Sequence, residues 1–170
     1  MAIPQLTYNL DMDLSFEGAG FDGSQDSYCR SASNNAAASF FGRACLAVAT
    51  AGDQFVQPTG SAGEFIGILK HTHAIEQSQV TAGAAGLPIN HPGAVMRRGR
   101  IWVVAENEID DLTKPVYYRH ATAGALPEAL GRFRDDDDGA SGDVTIIVGA
   151  KWVKVNTAVG MLAVIELNLP

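Results

Sequence analysis

The chain has 170 residues with 46% hydrophobic content, enough for one compact core plus an appended arm. Nineteen acidic residues against 12 basic ones give a formal net charge of −7, a field that repels nucleic-acid phosphates and anionic lipid, so neither nucleic acid nor membrane is an expected partner. Only 18% of the residues are charged, below the usual ~25%, which points to a surface partly covered by partners.

The N-terminal segment carries the clearest pattern. Leu6, Tyr8, Leu10, Met12, Leu14 and Phe16 alternate with Thr7, Asn9, Asp11, Asp13 and Ser15. Strict period two puts every large apolar side chain on one face of a strand roughly 35 to 40 Å long, whereas a helix would scatter them. An isolated strand of that length is unstable in water, so it is expected to add to a sheet, its own or a neighbour's. Residues 1 to 29 hold Asp11, Asp13, Glu17, Asp22 and Asp26 with no Lys or Arg, so a basic receiving surface suits this arm. The opening Met-Ala-Ile-Pro-Gln-Leu has neither a basic nor an apolar leader, and no run approaches the ~18 apolar residues of a membrane span. Synthesis in the cytoplasm is therefore expected, with Cys29 and Cys45 as reduced thiols.

Residues 17–40 are rich in Gly, Ser, Asn, Asp and Ala and are expected as irregular linker. Beyond Phe41, short β-prone runs recur between Gly and Pro breaks, at 43–49, 65–69, 101–105, 116–119, 144–148, 151–155 and 161–169. The spacing is that of a small sandwich or barrel and lacks the helices that a parallel α/β sheet requires. The expected organisation is an arm and linker over residues 1–40 and an all-β domain over 41–170.

Several fragments resemble chemical motifs without their context. Gly18-Ala19-Gly20-Phe21-Asp22-Gly23 matches G-x-G-x-x-G, but no helix pattern follows and no Asp or Glu lies between Asp26 and Asp53 to hold a ribose, so a flexible turn is expected. Asp135 to Asp138 before Gly139 invites a calcium reading. Aligning Gly139 with the loop glycine of an EF-hand puts Arg134 and Thr145 where carboxylates are needed, so a solvated loop between two strands fits better. Glu106, Glu108, Asp110 and Asp111 likewise fit an exposed turn. His71 and His73, with His91 or His120, lack a nearby Cys or carboxylate to make a metal site, and Ser141 lacks the spacing of a nucleophile elbow. No catalytic, cofactor or metal residues are expected. Arg97, Arg98 and Arg100 form the one dense basic cluster, either a hairpin with solvated arginines or a contact for a carboxylate-rich partner.

A succession of short phrases carries a family likeness. Phe41-Gly42-Arg43-Ala44, Phe65-Ile66-Gly67-Ile68, Arg98-Gly99-Arg100-Ile101-Trp102-Val103, Lys114-Pro115-Val116-Tyr117, Gly131-Arg132-Phe133 and the run from Ala163 to Leu169, in that order, resemble the structural cement and head decoration proteins of tailed phages. The resemblance implies a small β-sandwich or β-tulip domain with an extended N-terminal arm. It implies a non-enzymatic homotrimer at or near threefold positions on the outer capsid surface, made in the host cytoplasm, with the major capsid protein as partner. Such a subunit stabilises the head through many weak contacts acting together. Two other functions fit a small β domain: a tail or fibre adhesion module, with Trp102 and Trp152 stacking on a host glycan, and a small trimeric β enzyme.

Overall fold

Strands buried on both faces show near-continuous apolar runs, and three such runs build the centre of this protein. The computed structural model describes residues 17–21, 28–35, 38–71, 86–121, 128–140 and 142–170. The alternating row of Leu6, Tyr8, Leu10, Met12, Leu14 and Phe16 lies outside them. The described strands are β1 (Tyr28–Asn34), β2 (Ala38–Phe40), β3 (Ala44–Val48), β4 (Ala51–Val56), β5 (Phe65–Leu69), β6 (Gly86–Pro88), β7 (Pro92–Val104), β8 (Tyr117–Arg119), β9 (Phe133–Arg134), β10 (Val144–Ile146), β11 (Ala150–Lys154) and β12 (Leu162–Asn168).

The main sheet has the order β1-β4-β3-β5-β7-β12-β11, and β1 pairs with β7 as well as β4. That second pairing, with Arg30 opposite Val95, closes β1, β4, β3, β5 and β7 into a five-stranded ring. Each ring strand sends a side chain to one buried cluster: Ala32, Phe55, Cys45, Leu69 and Val95, joined by Phe41 and Leu87. This cluster fills the barrel. The neighbouring residues in the same strands, Ala44, Leu46, Ile68 and Met96, face outward into a larger core with Ile101, Val103, Trp152, Ile165 and Leu167. A small sheet of order β10-β8-β9 covers that core with Tyr118 and Phe133. The all-β expectation holds, realised as a barrel with a packed second sheet.

The segment expected as irregular linker instead supplies β1 and β2, and its residues 18–21 bond along β7. The described fold therefore begins before Phe41. β1 carries no hydrophobic alternation, because the residues it points inward, Ala32 and Asn34, are small and polar. Asn34 is satisfied inside: its Nδ2 donates to the carbonyl of Leu87 at 2.8 Å, and the Ser39 hydroxyl donates to its Oδ1 at 2.7 Å. Gln57 clamps Phe40 in the same region, accepting its N–H at 2.9 Å and donating to its carbonyl at 2.6 Å. These bonds tie the β2–β6 pair to the barrel. Buried polar groups held this way cost little and fix one arrangement.

Met96 and Ile101 face the same core although they are five residues apart, which period two forbids in a regular strand. The pairing with β1 shifts at this place: Tyr28 opposes Arg98 while Cys29 opposes Met96. Gly99, at φ 113, sits in the stretch where the parity changes, a conformation that favours glycine. The Arg97-Arg98-Gly99-Arg100 cluster is thus an irregularity in the middle of a 13-residue strand, not a hairpin.

Candidate contact surfaces

The three arginines have different surroundings. Arg97 donates to the carbonyl of Pro170, and its own carbonyl accepts the Leu169 N–H at 3.1 Å, so it ties down the C-terminus. Arg100 donates through Nε to Glu166 at 2.7 Å, and Glu166 also accepts from Lys151 at 2.9 Å. Those hydrogen bonds, to Arg100 first and Lys151 second, hold the Glu166 carboxyl below its ordinary range. Arg98 is exposed, opposite Tyr28, whose ring is also exposed. Of the basic cluster, Arg98 is the most exposed, while the 40% exposed Arg100 side chain is held by Glu166.

Glu108, Asp110, Asp111, Asp136 and Asp137 are exposed, as expected of solvated loops, but Glu106, Asp135 and Asp138 are not. Glu106 is buried and accepts from Arg119 Nε at 3.0 and 2.9 Å, with Arg134 at 3.6 Å and the Ala129 N–H at 3.0 Å. Asp138 pairs with Arg119 at 3.0 Å and Arg134 at 2.6 Å. Burial alone would raise the Asp138 pKa, but the hydrogen bond and charge of Arg119, reinforced by Arg134, hold it down. Asp136 pairs with Arg134 at 2.5 Å, and buried Asp135 pairs with Lys114 at 2.8 Å. The loop after β9 is therefore locked onto β8 and β9 through Asp136 and Asp138 and onto Lys114 ahead of β8 through Asp135, and Glu106 is a buried anchor rather than part of an exposed turn. Arg134 stands next to the run in sequence, but Arg119 and Lys114 come from distant positions, so sequence spacing gave no sign of the full network.

The other fragments are accounted for where they are described. Gly18 and Ala19 exchange backbone bonds with Trp102 at 2.8 and 2.9 Å, so the start of the G-x-G-x-x-G match is an added strand segment on β7. His71 packs on the Phe41 ring at 4.7 Å, His120 is buried edge-on to Tyr118 at 6.0 Å, and His91 is exposed; His73 and Ser141 lie outside the described residues. Among the described residues no three His, Cys, Asp or Glu side chains are grouped to hold a metal ion. Trp102 and Trp152 are both buried, and the Trp152 indole N–H donates to the carbonyl of Pro115 at 3.2 Å. Neither presents a face for a sugar.

Among the described residues the main sheet has one open edge: closure of the ring leaves β11 paired there on a single side, to β12. Val148, the most exposed large hydrophobic among the described residues at 83%, and Ile146 precede this edge, and exposed Val155 follows it. A depression of about 270 Å³ lined by Gly149, Ala150, Lys151, Glu166 and Asn168 lies at its start. This surface offers free backbone groups, apolar side chains and lysines, which suits contact with another chain.

Residues 4–168 match the family described as structural cement protein (E217 gp24/Pam3 gp6). The chain belongs to the phage structural cement family. It is also similar to a chain in the capsid of Myoviridae phage XM1, at 11% identity and a TM-score of 0.69, covering 99% of this chain and 98% of that one. At that identity the likeness is one of fold. No curated protein matches the chain. A cement protein is a capsid-stabilising structural protein of a phage particle.

Proposed function

We propose that this cement protein attaches to the outer surface of the assembled shell as a homotrimer at or near threefold positions, with the major capsid protein as partner. The attachment is structural and involves no catalysis. The observation that carries this reading is the alternation of Leu6, Tyr8, Leu10, Met12, Leu14 and Phe16 ahead of a domain whose barrel interior and outer core are already filled by the described strands. A domain whose own sheets are filled has no interior use for another row of six large side chains. Strand addition to another chain buries them and uses the backbone hydrogen bonds. Arg98 supplies a cation for coat carboxylates, since Arg97 and Arg100 have partners within the chain.

The test is occupancy on empty expanded heads at low salt. Removal of residues 2–15 should leave a folded protein that decorates heads poorly, and Leu10→Asp with Leu14→Asp should weaken binding by ~1.5 to 3 kcal/mol for each leucine no longer buried. Full occupancy by the truncated protein would move the attachment surface to the barrel domain.

A further inference from the structure

The open edge of β11 has a definite set of properties. It is the longest strand with a side unpaired among the described residues, five residues against three or fewer in β2, β6, β9 and β10. Around it stand Arg100, Lys151 and Lys154 against one carboxylate, Glu166, an excess of two positive charges. Lysines on an edge discourage pairing with an identical edge. The same lysines favour a strand whose outer face is acidic. The arm provides such a strand: Asp11 and Asp13 lie on the polar side of the alternating row, and no Lys or Arg occurs in residues 1–29.

The position of the arm's root decides which copy supplies it. Trp102 spends its N–H on Ala19 and its carbonyl on Gly18, so β12 takes the opposite side of β7. Val164 of β12 pairs with Trp102, and Lys154 of β11 pairs with Val164. The root is three strand spacings from β11, and the vacant slot beyond it is a fourth, about 19 Å in all at ~4.8 Å per step. Crossing that distance consumes about six residues at ~3.4 Å each, more than half of the 11-residue row from Leu6 to Phe16. Only a neighbouring copy can accept the whole row.

We propose that the open edge of β11 receives the alternating arm of a second copy as an added strand, with Asp11 and Asp13 on the face of Lys151 and Lys154 and the apolar row on the opposite face, continuing the side of the sheet that carries Trp152. This rests on the reading of the arm as an attachment segment and names its receiving site as the protein itself. Copies on the shell are then linked to one another, and each arm strengthens its neighbour's attachment by raising local concentration.

The test uses the full chain in a Cys29→Ser background, leaving buried Cys45. One population carries Asn9→Cys, the other Val148→Cys with a heavy-isotope label. They are mixed and treated with a short bis-maleimide, both at high concentration in solution and on expanded heads. A heterodimer linked between the two sites is expected at least about tenfold above that formed with an Asp53→Cys control on β4, as set by the effective concentration of a docked strand. Asp11→Lys with Asp13→Lys should abolish the link, and adding Lys151→Glu with Lys154→Glu to the partner should restore it. No excess over the control in either setting, or a link formed only within one chain in the double variant Asn9→Cys/Val148→Cys, overturns the proposal. Loss of decoration on removing residues 2–15 without an arm-to-edge link leaves the attachment reading standing and removes only this one. A link between copies together with full decoration by the truncated protein does the reverse.

Discussion

Arg119 holds Glu106 through its Nε, 3.0 and 2.9 Å from the two carboxylate oxygens, with each side chain 1% exposed. The pair joins β8 to the loop that leaves β7, and Asp138 brings the loop after β9 onto the same guanidinium at 3.0 Å. A buried charge is tolerable only while its partner is present. Arg119→Met should therefore destabilise the fold by about 3–5 kcal/mol, and Glu106→Gln in the same chain should recover part of that loss. Urea unfolding of the single and double variants measures both.

Acid stability should follow the paired carboxylates. Asp138 and Glu166 are held below their ordinary values, so the stability they contribute is present above those values and is lost as pH falls through the lowered ones. Thermal melts from pH 7 downward should decline through and below the ordinary carboxylate range of about 4. In Asp138→Asn the decline should be shallower and the neutral-pH melting temperature lower. An unchanged slope would remove Asp138 from the account.

Gly67 sits at φ 148, where a Cβ would stand 2.3 Å from the Met96 carbonyl oxygen and 2.7 Å from a Val95 methyl. Gly67→Ala forces β5 away from β7 in a conformation L-residues avoid, and should cost about 2–4 kcal/mol. Gly52 on β4, with nothing near its Cβ position, is the matching control, and Gly52→Ala should leave stability close to the parent's. Chemical unfolding of the two variants side by side decides the point.

The two thiols should separate by access. Cys45 is fully buried in the barrel, and burial pushes its thiol far above the ordinary range, while burial raises half-buried Cys29 as well, partly offset by the charge of Lys70. At neutral pH an alkylating reagent should label Cys29 slowly and Cys45 only after unfolding. Intact-mass measurement with and without urea gives the two counts.

Arg98 and Arg100 should give opposite results. Arg98→Glu is expected to leave the melting temperature unchanged and lower occupancy on heads, since the side chain is exposed. Arg100→Ala removes the 2.7 Å pair with Glu166 and should cost at most about 1 kcal/mol of stability, as for other partly exposed pairs.

The amino-acid sequence alone determined the all-β class, the β5 run at 65–69, which forms as expected, the positions of β3, β8, β10, β11 and β12 to within a few residues, and the C-terminal part of β7, because apolar periodicity and Gly or Pro breaks are local signals. It also carried the family likeness, which the match over residues 4–168 bears out. Tertiary structure decided the rest. Closure of the ring depends on β1, whose inward Ala32 and Asn34 bear no hydrophobic pattern and acquire meaning only once Leu87 and Ser39 surround them. The role of the aspartate loop depends on Arg119, Arg134 and Lys114, with partners up to 21 residues apart in the chain, and charge pairing between distant segments leaves no periodic trace. The basic cluster was visible in the sequence, but only the pairing of β7 with β1 and β12 assigned Arg97 and Arg100 to internal partners and left Arg98 to the surface. Local chemistry is written along the chain; which groups meet is fixed by packing between strands distant in sequence.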